Sequence, residues 1–142
     1  MGRDNLPTVT KGKIVDMIEE WTASTQEPFV SFEYFPPKTT EGVAKLHAEI
    51  EAMASQNPLF MDFTWGAGGA TSDLTLNLSK ESQQKHQIMV NMHLTCTNQD
   101  RELCDFGLQG AKDAGICNIV ALRGDPPKGQ EKWEVTEGGF AC

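Results

Sequence analysis

The sequence predicts an α/β fold in which parallel strands alternate with helices, and three observations predict it. Four segments read as strands that end in polar or reactive residues: Ser31-Phe32-Glu33-Tyr34-Phe35-Pro36-Pro37, Asp62-Phe63-Thr64-Trp65-Gly66, His93-Leu94-Thr95-Cys96 and Leu122-Arg123-Gly124-Asp125. Their spacing is regular: 31 residues from Glu33 to Thr64, 29 from Thr64 to His93 and 30 from His93 to Arg123, the length of one strand-plus-helix unit. Each pair is separated by about twenty residues with room for a helix, too long for a hairpin and right for a parallel crossover. Chemistry at every strand's C-terminal end is how parallel α/β barrels build their sites, and four units are half of such a barrel. An open, doubly wound four-stranded sheet fits the same pattern.

The elements follow in order. Residues 1–10 are polar, contain Pro7 and show no period, so a mobile tail is expected. Ile14, Ile18 and Trp21 recur at helical spacing with Asp16, Glu19 and Glu20 elsewhere on the turn, an amphipathic helix suited to covering the open end of a sheet. Thr22 to Pro28 is turn-rich. Phe29 to Phe35 is apolar except at Ser31 and Glu33, the pattern of a strand buried on both faces, and Pro36-Pro37 ends it because proline cannot donate to a ladder. Thr39 or Thr40 can cap a helix whose stripe is Val43, Leu46, Ile50 and Met53.

Leu59 to Trp65 is the second strand, and Gly66-Ala67-Gly68-Gly69 a connection in which backbone can come close to a ligand. That glycine run follows the second strand and lacks the third glycine of a dinucleotide fingerprint. Ser72 or Asp73 opens a helix toward His86 with a less tidy stripe. Ile88 to Thr97 is the third strand, and a helix from Gln99 to Ala114 turns Leu103, Gly107 or Leu108 and Ala111 inward before Gly115 stops it. Ile116 to Leu122 is the fourth strand, followed by a polar loop and Glu137-Gly138-Gly139-Phe140.

Bulk composition narrows the function. A length of 142 residues is that of one domain, where a complete eight-unit barrel takes roughly 250. With 20 acidic against 12 basic residues, a formal net charge of -8 and no long basic run, the footprint of a nucleic-acid binder is missing. No apolar run approaches the roughly 20 residues that cross a bilayer, and residues 1–13 lack the layout of a secretory signal, so a cytoplasmic protein without membrane association is expected. Cys96, Cys104, Cys117 and Cys142 form no Cys-x-x-Cys pair and do not cluster with histidines, which points to four free thiols and no metal site.

Glu33 lies late in an apolar strand, where an unpaired carboxylate is costly to bury and tends to keep its proton; it is a candidate general acid, or a carboxylate satisfied by backbone or a cation. His93 and Thr95 fall on one face of their strand and Leu94 and Cys96 on the other. Arg123-Gly124-Asp125 sets a cation, a residue without a side chain and a carboxylate directly after Ile119-Val120-Ala121-Leu122, a grouping that suits a polar or phosphorylated ligand or a structural ion pair. A parallel sheet puts all four strand ends on one rim, so Glu33, Thr64, Trp65, His93, Arg123 and Asp125 should converge there and suit a large, flat, partly anionic ligand.

Phe32-Glu33-Tyr34-Phe35-Pro36-Pro37, Asp62-Phe63-Thr64-Trp65, His93-Leu94-Thr95-Cys96, Ala121-Leu122-Arg123-Gly124-Asp125-Pro126 and Glu137-Gly138-Gly139-Phe140, in this order, resemble the signature of the eukaryotic methylenetetrahydrofolate reductase family. The resemblance covers 29–142 and implies the first half of a (β/α)8 TIM barrel, truncated after the fourth strand, with 1–28 as a tail and leading helix. It implies FAD as cofactor, reduced by NADH or NADPH, and transfer of the hydride to methylenetetrahydrofolate to give methyltetrahydrofolate. Glu33 is then the general acid and Asp125 the carboxylate near flavin and pterin. Thr64, Trp65, His93, Arg123, Gly124, Asp125 and Cys142 would contact FAD, although Cys142 stands where many members carry a tyrosine. Glu33, Tyr34, Phe35, Pro36, Pro37 and Lys38 would border nucleotide and substrate, with Asp125 helping to place the folate. The missing half suggests a chain inactive alone. The alternatives are a non-catalytic half-barrel module, pairing with itself as a homo-oligomer or with a full-length subunit, and another flavin- or pterin-binding barrel enzyme.

Overall fold

Side-chain alternation along the strands decides which residues meet the helices. In the computed structural model, which describes residues 11–66, 70–126 and 129–140, the order is α1 (Ile14–Ser24), β1 (Ser31–Tyr34), α2 (Thr40–Ala54), β2 (Phe60–Phe63), α3 (Ser72–His86), β3 (Met89–Thr95), α4 (Arg101–Asp113) and β4 (Asn118–Leu122). The strands form one parallel sheet in the order β1-β2-β3-β4. Tyr34, Met61, Phe63 and Val90 point to the side where Leu46 and Ile50 of α2 and Leu78 of α3 complete a core. Met92 and Leu94 join Trp65, Ile116 and Ala111 of α4 in a second cluster on that side. A doubly wound sheet reverses its strand order and carries helices on both faces. Here the order runs without reversal and α2, α3 and α4 share one face, so the doubly wound alternative is set aside.

The opposite face carries Ser31, Glu33, Asp62, Asn91, His93 and Thr95, and no crossover helix covers it. Its apolar members Phe60 and Met89, at the N-terminal end, are packed against Ile14, Met17, Trp21 and Leu59. The α1 helix therefore covers one end of the sheet, as its amphipathic pattern predicted. Asn118 of β4 fastens it: the amide accepts from the Ile14 N–H at 2.8 Å and donates to the Gly12 carbonyl at 3.0 Å.

Caps set the helix starts. Thr39 Oγ1 accepts from the Gly42 N–H at 3.0 Å, and Asp100 Oδ1 from the Leu103 N–H at 2.9 Å, so α4 begins at Arg101, two residues later than the sequence suggested. Gly115, at φ 71°, ends α4 region as predicted. The first strand differs from expectation. It is not buried on both faces: Ser31 and Glu33 are exposed, Val30 and Phe35 are exposed at its two ends, and Tyr34 alone is buried. The cause is the uncovered face on which Ser31 and Glu33 stand. The expected mobile tail, residues 1–10, lies outside the described residues, as do Ala67, Gly68 and Gly69 of the glycine connection.

Candidate active site

Glu33, Asp62 and Asn91 are partners across β1, β2 and β3, and His93 is the next residue on the same face of β3. The parallel register thus brings four polar side chains from three strands to the open face. Asp62 Oδ1 accepts from Asn91 Nδ2 at 2.7 Å and lies 3.3 Å from His93 Nε2. The other ring nitrogen, Nδ1, lies 3.9 Å from Glu33 Oε1. Side-chain exposures of 17% for His93 and 14% for Asp62 make that pair half-sheltered, whereas Glu33 at 49% faces open space. The expectation of a buried Glu33 is therefore corrected: the carboxylate stands free on the uncovered face, with imidazole as its neighbour.

The β4 exit is built by hydrogen bonds that hold its backbone. The Arg123 carbonyl accepts from the Thr97 N–H at 2.9 Å and from the Thr97 hydroxyl, and the Trp133 indole donates to that hydroxyl at 2.9 Å. The Arg123 guanidinium then lies 5.4 Å over the Trp133 ring, a cation–π contact that leaves the charge at the strand end. Gly124 adopts φ 89°, and a Cβ there would stand 3.0 Å from Thr97 Oγ1 and 3.1 Å from Thr95 Cβ. Asp125 is exposed beside it. Gly138 and Phe140 of the following loop fold back onto α4: the Arg101 N–H donates to the Gly138 carbonyl at 3.2 Å, and its guanidinium lies over the Phe140 ring.

The family model described as methylenetetrahydrofolate reductase matches residues 17–142. The chain belongs to the methylenetetrahydrofolate reductase family. It is 48% identical over 130 residues to "Methylenetetrahydrofolate reductase (NADH) 1" of Arabidopsis thaliana, covering 92% of this chain and 22% of that protein. It is 46% identical over 123 residues to "Methylenetetrahydrofolate reductase 2" of Schizosaccharomyces pombe, covering 86% and 19%. Against "5,10-methylenetetrahydrofolate reductase" of Salmonella typhimurium the identity is 36% over 106 residues, covering 75% and 36%. The chain spans about a fifth of the length of the plant and yeast relatives. No helix among the described residues is long and apolar enough to cross a membrane.

Within this chain, Glu33 and His93 share the open face, and Arg123, Gly124 and Asp125 stand together at the β4 end. Thr64 is half-buried at the β2 exit, its N–H donating to the Tyr34 carbonyl at 3.0 Å and its carbonyl accepting from the Thr75 hydroxyl. Trp65 departs from the rim position suggested for its ring: the indole is buried on the helix side, where it donates to Gln99 Oε1 at 3.0 Å. Gln99 is satisfied in turn by Thr95, through its carbonyl and hydroxyl. Tyr34 is likewise turned away, stacked on Phe63 with its hydroxyl buried; burial, and then the Glu49 carboxylate, push its pKa up to about 12. Phe35 and Lys38 are exposed, Pro36 and Pro37 half-buried, and Cys142 lies outside the described residues. Burial raises the Cys104 thiol, which suits an inert packing group, and Cys96, Cys104 and Cys117 form no disulfide with one another. Asp62, Asn91 and Trp133 were given no role by sequence reasoning. The available signal was spacing, since Glu33 to Asp62 and Asp62 to Asn91 are each 29 residues.

Proposed function

We propose that this chain supplies the acid-bearing arc of a (β/α)8 site that reduces methylenetetrahydrofolate to methyltetrahydrofolate with FAD and NADH or NADPH. One observation carries the reading: Glu33 stands exposed on the open sheet face, 3.9 Å from His93, on the rim that ends in Arg123-Gly124-Asp125. The residues present fit a flavin dinucleotide. Arg123 offers a fixed cation to an anionic ligand, Gly124 a backbone cradle that a Cβ would crowd, Thr64 a hydrogen-bonding group and His93 the carbon edge of its ring, its nitrogens being turned to Asp62 and Glu33. Trp65 would contribute through its main chain, since its ring is occupied elsewhere.

When bound, FAD supplies the hydride. Glu33, in its acid form, gives a proton to the folate nitrogen, so that the methylene bridge opens to a carbon that can accept hydride. Asp125 would add negative charge at the β4 end beside the bound flavin and folate and help to orient the folate. Phe35, Pro36, Pro37 and Lys38 border the reactants after β1. In a complete family member, Glu33→Gln should lower folate reduction by about 10²–10⁴-fold and leave flavin reduction by the nucleotide intact. Survival of both half-reactions would show that the acid is another group. A second reading, a half-barrel module that pairs through its edges, is favoured by β1 and β4 each having only one strand neighbour among the described residues.

A further inference from the structure

We propose that Asp62 is the positioning residue of a proton relay in which His93 recharges Glu33. The inference deepens the reading of Glu33 as the acid and rests on it. An acid that has given up its proton must recover one before the next turnover, and the group facing Glu33 is the His93 imidazole. Imidazole relays protons only when its two nitrogens have different jobs. Asp62 assigns them. Its Oδ1 lies 3.3 Å from Nε2 and is itself held by the Asn91 amide at 2.7 Å, so Nε2 keeps its hydrogen and donates to the carboxylate. Nδ1 is left as the exchangeable position, aimed at Glu33 Oε1 from 3.9 Å. That separation is longer than a hydrogen bond and is closed by a rotamer adjustment of the exposed Glu33 or by one water.

The proton balance is simple. Imidazolium His93 transfers the Nδ1 proton to the Glu33 carboxylate, giving neutral imidazole with its Nε2–H still on Asp62 and a neutral carboxylic acid at Glu33. After Glu33 protonates substrate, one proton taken up from bulk solvent as hydronium, which leaves as water, restores the imidazolium at Nδ1, so each turnover consumes one solvent proton. Three strands supply the neighbours of the ring: Glu33 from β1, Asp62 from β2 and Asn91 from β3, with Val120 of β4 paired to His93 contributing no charge. Anchoring by Asn91 matters because a carboxylate free to rotate would not hold one tautomer.

Nitrogen-15 NMR of the imidazoles in the purified chain reads this directly, with His47 and His86 as internal references. Neutral His93 should be the Nε2–H tautomer, and Asp62→Asn should convert it to a mixture while far-ultraviolet dichroism stays unchanged. An Nδ1–H tautomer in the wild type, or an Asp62→Asn spectrum with the wild-type tautomer, overturns the assignment. Should Asp62→Asn unfold the chain, Asn91→Ala tests the same anchor and should loosen the tautomer to a lesser degree; an unchanged tautomer there overturns the role of Asn91. In a full-length family member with the same three residues, Asp62→Asn should slow the folate half-reaction about tenfold, with folate KM within about twofold and flavin reduction by the nucleotide unchanged. Equal losses in both half-reactions overturn the relay. A Glu33→Gln variant that keeps the wild-type folate rate overturns the parent reading with it, whereas a damaged Glu33→Gln beside an intact Asp62→Asn overturns the relay alone.

Discussion

Gly124 occupies a conformation that a side chain resists twice over. Its φ of 89° lies in the left-handed region, and the space where a Cβ would go is taken by Thr97 and Thr95. Gly124→Ala should cost about 1–2 kcal/mol from backbone strain alone. The same change should displace Arg123, so denaturant unfolding should show the loss and an unchanged midpoint would remove the cradle argument. Tyr34 gives a second test. It is the only tyrosine, so ultraviolet difference absorbance follows it without interference. Burial raises its folded-state pKa from 10.0 to about 12. The folded chain therefore keeps a proton that the unfolded chain releases, and stability present below about pH 10 should fall by ~2 kcal/mol as pH climbs toward about 12. Tyr34→Phe should flatten that fall and leave neutral-pH stability unchanged or slightly higher, because the buried hydroxyl has no hydrogen-bond partner. Tyrosinate forming near pH 10 in the folded chain would contradict it. At this scale the sequence made Glu33, His93 and Arg123 visible by residue type at a strand end. It left Asp62 and Asn91 without roles because their importance lies in register, a cross-strand relation that no single segment displays.

The helices separate what pattern can show from what packing hides. In α2, Leu46 and Ile50 are buried as the apolar stripe indicated, while Met53 at its end is exposed. In α3 the buried positions are Ser72, Thr75, Leu78, Ser79 and Ser82, so the face turned inward is mostly small and polar. A hydrophobic period could not mark that face, which is why its stripe looked untidy. Thr75 is accommodated by donating to the Thr64 carbonyl at 3.0 Å. Ser79 is fully buried and its hydroxyl has no partner. Ser79→Ala should therefore be neutral or stabilise the chain by about 1 kcal/mol, since it removes an unsatisfied group and improves helix propensity. A loss of stability in thermal or denaturant unfolding would mean that the hydroxyl has a partner. Close packing explains another feature that pattern could not supply. A Cβ at Gly107 of α4 would stand 2.7 Å from the Trp65 ring, so the glycine lets the indole slide behind the sheet and away from the rim.

The whole molecule combines a finished core with unfinished surfaces. One face of the sheet is closed by α2, α3 and α4 and one end by α1, so the parallel order, the unit length and the role of the first helix were all legible from spacing and amphipathic pattern. Which face stays open was not legible, because β1 is flanked by apolar residues on both alternating sets and so looks buried on both sides. The outer strands β1 and β4 each have one free edge among the described residues. Beside β4, Leu94, Leu108, Ile119, Ala121 and Phe140 line an apolar groove, and Leu108 and Leu122 are exposed. Unpaired edges next to exposed apolar groups favour association between chains. They also leave the open face lined by one arc of residues, too few to bury a large ligand of the kind proposed, since binding sites enclose about 70–90% of a ligand's surface. We therefore expect the purified chain to self-associate and to carry no stoichiometric FAD, read by size-exclusion chromatography and flavin absorbance. Added FAD should leave the association unchanged. A yellow monomer that oxidises the reduced nucleotide in the presence of methylenetetrahydrofolate would mean instead that the four strand ends suffice for the reaction, and that the open face is closed by the substrates themselves.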